Sequence, residues 1–141
     1  MGTTNVSPWT GGQLVELTTA ECERLLSLRA VGRLAWNGPV SPMVLPINFT
    51  VLDSEIWFRT TAHSSMSQII DDQPITFQVD SVDDFTRSGW SVLVRGTAHV
   101  VYDIARIPRT WSGLETWPAG AHAVHVVIER TEITGRRLLA S

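Results

Sequence analysis

The sequence predicts a mainly β fold, a small closed or partly closed antiparallel barrel with a few short helices. Three observations point there. Apolar residues recur at every second position through most of the chain after Gly32, the period of a half-buried strand. About six such runs are separated by turn residues. Only two short stretches carry helical spacing, and closure of so many antiparallel strands removes the exposed edges that an open sheet would leave.

Residues 1–16 read as a flexible N-terminal tail and residues 17–141 as a single domain, because Met1 to Gly12 is rich in Thr, Ser, Gly and Pro with one isolated Trp9. Thr18 to Glu21 forms a capping-box pattern, and Cys22, Leu25, Leu26 and Leu28 follow at roughly helical spacing, which predicts a helix from Thr19 to Arg29. Met43, Leu45, Ile47, Phe49 and Val51 alternate with Val44, Pro46, Asn48 and Thr50 as a strand. Asp53 and Ser54 supply a turn, and Ile56, Phe58 and Thr60 return as the second arm of a hairpin, with Trp57, Arg59 and Thr61 facing away from the core. A short helix over Ser64 to Ile70 leads to a strand through Ile75, Phe77 and Val79. The acidic run at Asp83 and Asp84 is a loop, and Trp90 to Tyr102 is the longest strand, with Gly96 a bulge or close-approach point. A less regular segment containing Pro108 and Pro118 precedes two strands, Ala123 to Glu129 and Thr131 to Leu138.

Composition removes several function classes. All eleven basic residues are arginine, so the chain has no lysine for a Schiff base, an amine nucleophile or a phosphate contact. Fourteen acids against eleven arginines give a net charge of −3, which argues against a general nucleic-acid or anionic-membrane surface. Cys22 is the only cysteine, which excludes an internal disulfide and suits a reducing compartment. With neither an export-signal pattern nor an apolar run of membrane-spanning length, the expected location is the cytoplasm.

The candidate site lies between Ile56 and Gly96. Arg59 stands among Thr60, Thr61, Ser64 and Ser65, where a planar guanidinium fork and hydroxyls suit a phosphate; the competing reading is a surface strand end followed by an ordinary helix cap. Trp57 and Trp90 are candidate walls for a flat aromatic ligand. His63 offers a cap, a phosphate contact or a proton donor, against a solvated turn residue. His122 and His125, three apart on a strand, point to opposite faces and do not converge on a metal. Asp71/Asp72 and Asp83/Asp84 read as solvated loop charge, Arg136 and Arg137 as surface charge, and Cys22 as a small buried hydrophobe. Ser91 lacks the glycine of a nucleophile elbow. Ligand chemistry on the outer face of a short barrel needs a second subunit to close it, so a homodimer is expected.

In order and spacing, these features resemble the pyridoxamine 5′-phosphate oxidase-like flavin-binding split barrels, over about Leu17 to Leu138. The residues that carry the resemblance are Glu21, Cys22, Leu25, Leu26 and Val31 to Ala35; Val44 to Phe49; Phe58, Arg59, Thr60; Phe77 to Asp80; Ser88 to Val92 with Val94 and Gly96; and Ile133 to Arg137. The resemblance implies a six-stranded antiparallel split β-barrel that dimerises with FMN, or a related deazaflavin, at the subunit interface. It places the ring along Pro46, Ile47, Asn48 and Phe58, Arg59, Thr60, Thr61, and the phosphate at the turn His63, Ser64, Ser65, Met66. Gln78, Trp90 and Ser91 would line the ring or the opposite wall. The chain departs from the family where Ser65 occupies the usual lysine position, a loss worth about one or two kcal/mol unless another cation substitutes. The implied function is an FMN-dependent oxidoreductase acting on a small organic molecule rather than on vitamin B6. The alternatives are a deazaflavin-dependent reductase and a non-catalytic binder of flavin or another flat ligand.

Overall fold

The computed structural model describes residues 13–61, 64–108 and 123–140. Along the chain run β1 (Gln13–Glu16), α1 (Thr19–Leu26), β2 (Val31–Asn37), β3 (Pro42–Leu52), β4 (Glu55–Thr61), α2 (Ser65–Ile69), β5 (Gln73–Asp83), β6 (Ser88–Val101), a 3₁₀ turn (Ile104–Arg106) and β7 (Ala123–Leu139). All pairings are antiparallel. The order β7-β4-β3-β2-β5-β6 closes on itself through the β6–β7 ladder, which makes the expected six-stranded barrel, and β1 adds to β7 as a seventh strand.

The structure corrects the strand expectations at both ends of the chain. Gln13–Glu16, placed in the tail, form β1, because the far end of β7 offers an unpaired edge and the register Gln13↔Leu139 to Glu16↔Arg136 satisfies it. The two closing strands are one continuous β7, which at 17 residues is longer than the 14-residue β6 expected to be the longest strand; its near half pairs with β4 and its length pairs with β6 across a register shift at Arg95/Gly96. That shift absorbs the exposed run Glu129 to Glu132, which in sequence looks like a break between strands.

Local chemistry sets the other boundaries. The Thr18 hydroxyl accepts from the Glu21 N–H at 3.2 Å and the Glu21 carboxylate accepts from the Thr18 N–H at 3.0 Å, so the capping box starts α1. α1 ends at Leu26, short of the expected Arg29, and Leu28 is exposed. Asp53 and Ser54 both take positive φ, 49° and 65°, the geometry of a two-residue hairpin turn that matches strand twist. At the β5–β6 turn the Asp83 carboxylate accepts from the N–H groups of Phe85 and Thr86, at 2.8 and 2.9 Å.

Inside the barrel lie Leu34, Ile47, Phe49, Phe58, Phe77, Val79, Val92, Val94, Val126 and Ile128, with Phe49 and Phe77 edge to face at 4.9 Å. α1 covers part of the core with Cys22, Leu25 and Leu26, and α2 with Met66. Burial raises the Cys22 thiol pKa, as expected for an inert packing cysteine. Its Sγ lies 2.6 Å from where a Cβ on Gly135 would stand, so only glycine lets α1 approach β7 here.

β3 changes partner along its length. Residues 42–48 pair with β2, whereas the ladder to β4 runs only from Phe49↔Phe58 to Leu52↔Glu55. Beyond Phe49 and Phe58 the two strands part, Pro46–Asn48 staying with β2 and Arg59–Thr61 with β7, and this split is the opening of the barrel. Pro42 and Pro46 sit within the β2 ladder, which a proline tolerates where its missing N–H points away from the partner strand.

Gly96 sits at the register shift, where a Cβ would overlap the Glu129 carbonyl of β7. Gly96→Ala is expected to lower unfolding stability by about 2 to 4 kcal/mol, measured by chemical denaturation, because the obstacle is backbone that cannot step aside.

Candidate functional site

The alternation of each strand sorts the sequence candidates by face. Asn48 lies between the core residues Ile47 and Phe49 and so projects outward, Pro46 shares its face by period two, and on β4 Arg59 and Thr61 alternate with the core residue Phe58 and take the outer face. Ile47, Phe58 and Met66 are buried in the core, so only their backbone can meet a ligand. Thr60 points inward and its hydroxyl lies 3.1 Å from that of Ser64. Ser64 caps α2 by accepting from the Ser67 N–H at 3.0 Å, and Ser65 is exposed at the first position of that helix. His63 and His122 fall outside the described residues.

Arg59 is half-buried and pairs in register with His125 of β7. Desolvation, and then the Arg59 guanidinium, lower the His125 pKa, so its imidazole is neutral at physiological pH. The two side chains therefore sit side by side across the β4–β7 ladder, an adjacency that register revealed and sequence did not. Trp57, expected as an open wall on the same face, is fully buried and lies under the Arg106 guanidinium, 5.2 Å from its ring centroid. Arg106 is held in place by Glu55 at 3.0 Å. Trp57 is therefore a support beneath the 3₁₀ turn rather than a free stacking surface.

A second group occupies the outer face of β2, β5 and β6. Arg33 is paired with Gln78, and Asp80 with Ser91. Arg33 donates to the Asp80 carboxylate at 3.2 Å, and the Gln78 amide nitrogen donates to the same oxygen at 2.8 Å, which fixes the orientation of the amide. Gln78 and Ser91 line a cleft of about 170 Å³ with Leu93, Thr134, Gly135 and Arg136. Trp90, grouped with Ser91 in the sequence reading, takes the opposite face and packs against the core. Arg136, read from sequence as plain surface charge, thus joins the candidates through its register with Ser91.

Asp71 and Asp72 lie in the turn after α2, Asp72 well exposed as expected, but both carboxylates are engaged. Asp71 accepts from the Val100 N–H at 2.8 Å, and Asp72 meets His99 at 2.7 Å. His99 also meets Glu129 at 2.8 Å. The ligand atoms of Asp71, Asp72 and His99 lie within 4.8 Å of one another, but both ring nitrogens of His99 are taken by carboxylates, so the arrangement is an ion-pair cluster. No helix of the described residues is long and apolar enough to cross a membrane.

Comparison with known proteins accounts for this architecture. A family model described as pyridoxamine 5′-phosphate oxidase matches residues 18–137. The chain belongs to the pyridoxamine 5′-phosphate oxidase-like split-barrel family. An uncharacterized protein of Mycobacterium tuberculosis is 30% identical over 144 residues, covering 99% of this chain and 95% of that one. The structure of an FAD binding protein from Mycobacterium smegmatis superposes with a TM-score of 0.78 at 32% identity, covering 90% of this chain and 100% of that chain. A conserved protein of unknown function from Corynebacterium diphtheriae gives a TM-score of 0.72 at 31% identity, over 87% and 96% of the two chains.

The histidine environments have a direct readout. In an NMR pH titration, His125 is expected to titrate below the ordinary 6.5. Arg59→Ala is expected to move that midpoint upward while leaving His125 below 6.5, because desolvation, the larger cause, stays.

Proposed function

We propose that this protein is a flavin-dependent oxidoreductase that holds FMN between two copies of the chain and acts on a small organic substrate. The observation that carries the reading is the parting of β3 from β4. Where their ladder stops, Pro46–Asn48 go with β2 and Arg59–Thr61 with β7, so the barrel splits between them, and Arg59 stands there beside His125. These residues fit a phosphorylated planar group. Arg59 offers a two-pronged donor to phosphate in place of the lysine absent at Ser65, and the Thr61 and Ser65 hydroxyls are exposed nearby in the chain. The orienting network of Arg33, Gln78 and Asp80 presents a fixed amide suited to the polar edge of a ring. A bound flavin would supply the hydride chemistry, while the protein orients it, excludes water and tunes its potential through hydrogen bonds. The similarity to an FAD binding protein supports a flavin and leaves the length of its tail to experiment.

The second copy has a physical motive. Val31, Val40, Val44, Met43 and Leu45 expose apolar surface on β2, β3 and the turn between them, next to the opening. Burial of this patch against its symmetry mate would remove it from water and wall the site.

Titration of the purified apo-protein with FMN and FAD, followed by visible absorption and tryptophan quenching, tests the reading. Saturable binding of one flavin per chain at micromolar affinity or better is expected, with Arg59→Ala weakening it about tenfold, the equivalent of about 1.4 kcal/mol. Binding of a deazaflavin alone would replace the cofactor assignment. Binding of none would overturn it, and binding without turnover of any electron donor would leave a flavin-sequestering protein.

A further inference from the structure

His99 stands on β6 between two carboxylates from different elements: Asp72 in the turn joining α2 to β5, at 2.7 Å from Nδ1, and Glu129 on β7, at 2.8 Å from Nε2. A neutral imidazole has one N–H and one lone pair, so only the imidazolium can donate to both. Asp71 is the third carboxylate of the cluster, and it accepts from the Val100 N–H at 2.8 Å. The Asp72 N–H also donates to the Ala98 carbonyl at 2.8 Å, with Asp72 in the left-handed region at φ 60°. The end of α2 is thus tied to β6 by two backbone-directed bonds, and through the His99 ring to both β6 and β7. The other end of the same one-turn helix is Ser64–Met66, where the phosphate turn is placed.

We propose that His99 is a proton-operated clasp on α2: charged, it fixes the turn after α2 to β6 and β7, and on losing its proton it lets that turn open and loosens the Ser64–Met66 end that contacts the flavin phosphate. The ligand half of this statement rests on the flavin reading above; the clasp itself does not. The bonds from Asp72 and then Glu129 raise the ring's pKa above the ordinary 6.5. The folded state therefore binds this proton more tightly than the unfolded chain does. The contribution is complete below pH 6.5 and is lost as pH rises through the raised value.

Hydrogen exchange of the Ile70, Asp72 and Gln73 amides, followed from about pH 6 to about pH 9 and corrected for intrinsic rates, tests the clasp. Wild-type protection is expected to fall about three- to tenfold across the His99 transition. His99→Asn should show the low protection at every pH, and Glu129→Gln should move the transition to lower pH. Protection in the wild type that does not change with pH, or a Glu129→Gln midpoint that does not move, would overturn the clasp. FMN affinity measured over the same series separates the two claims. Affinity that falls with protection supports the coupling, and pH-independent affinity overturns it. Absence of FMN binding at any pH overturns the flavin reading while the exchange result still decides the clasp.

Discussion

The long ladder between β6 and β7 is the interaction on which the rest of the molecule depends. β7 is also the partner of β4 and β1, so one strand fixes the position of three others. The register shift at Gly96 lets this strand serve both ends of the barrel without breaking its pairing, and it bends β7 where Glu129 turns toward His99. Gly135 on the same strand admits α1 to the core. Closure through β7 commits β4 to one side, and the parting of β3 from β4 is then the place where the barrel opens.

Much of the fold could be read from single residues. Asp53 and Ser54 announced the β3–β4 turn, Thr18 and Glu21 the start of α1, and Gly96 a close approach, because each is a local rule satisfied by its own neighbours. β1 could not be read, since a four-residue segment with only Leu14 and Val15 apolar becomes a strand only when a distant edge is offered to it. Trp57 misled for a related reason. Alternation correctly sends it outward, but Arg106, from another part of the chain, covers it. The site divides in the same way. The outward direction of Arg59 follows from period two, whereas its pairing with His125 and the contacts of His99 with Asp72 and Glu129 span dozens of residues and exist only through register. Even so, alternation already contained the separation of Trp90 from Ser91, which grouping by sequence proximity overlooked.

The absence of lysine gives the surface a particular character. Arg33 with Asp80, Arg95 with Glu132 and Arg106 with Glu55 all join residues from different elements. Exposed pairs of this kind add little to stability. Their planar, multiply donating heads nevertheless define direction, and Gln78 inherits a fixed amide from one of them. The polar groups of the outer face are in this sense arranged before any ligand arrives.

The prolines of β3 bear on a different hazard. An opened barrel exposes strand edges, and an exposed edge is a template for a strand from another molecule. Pro42 and Pro46 lie along the segment of β3 that has left β4, and neither can donate a backbone hydrogen bond there. The lip of the opening therefore keeps carbonyl acceptors but lacks the regular row of donors that an invading strand would need. The same two residues that shape the lip of the opening therefore also discourage self-assembly at it.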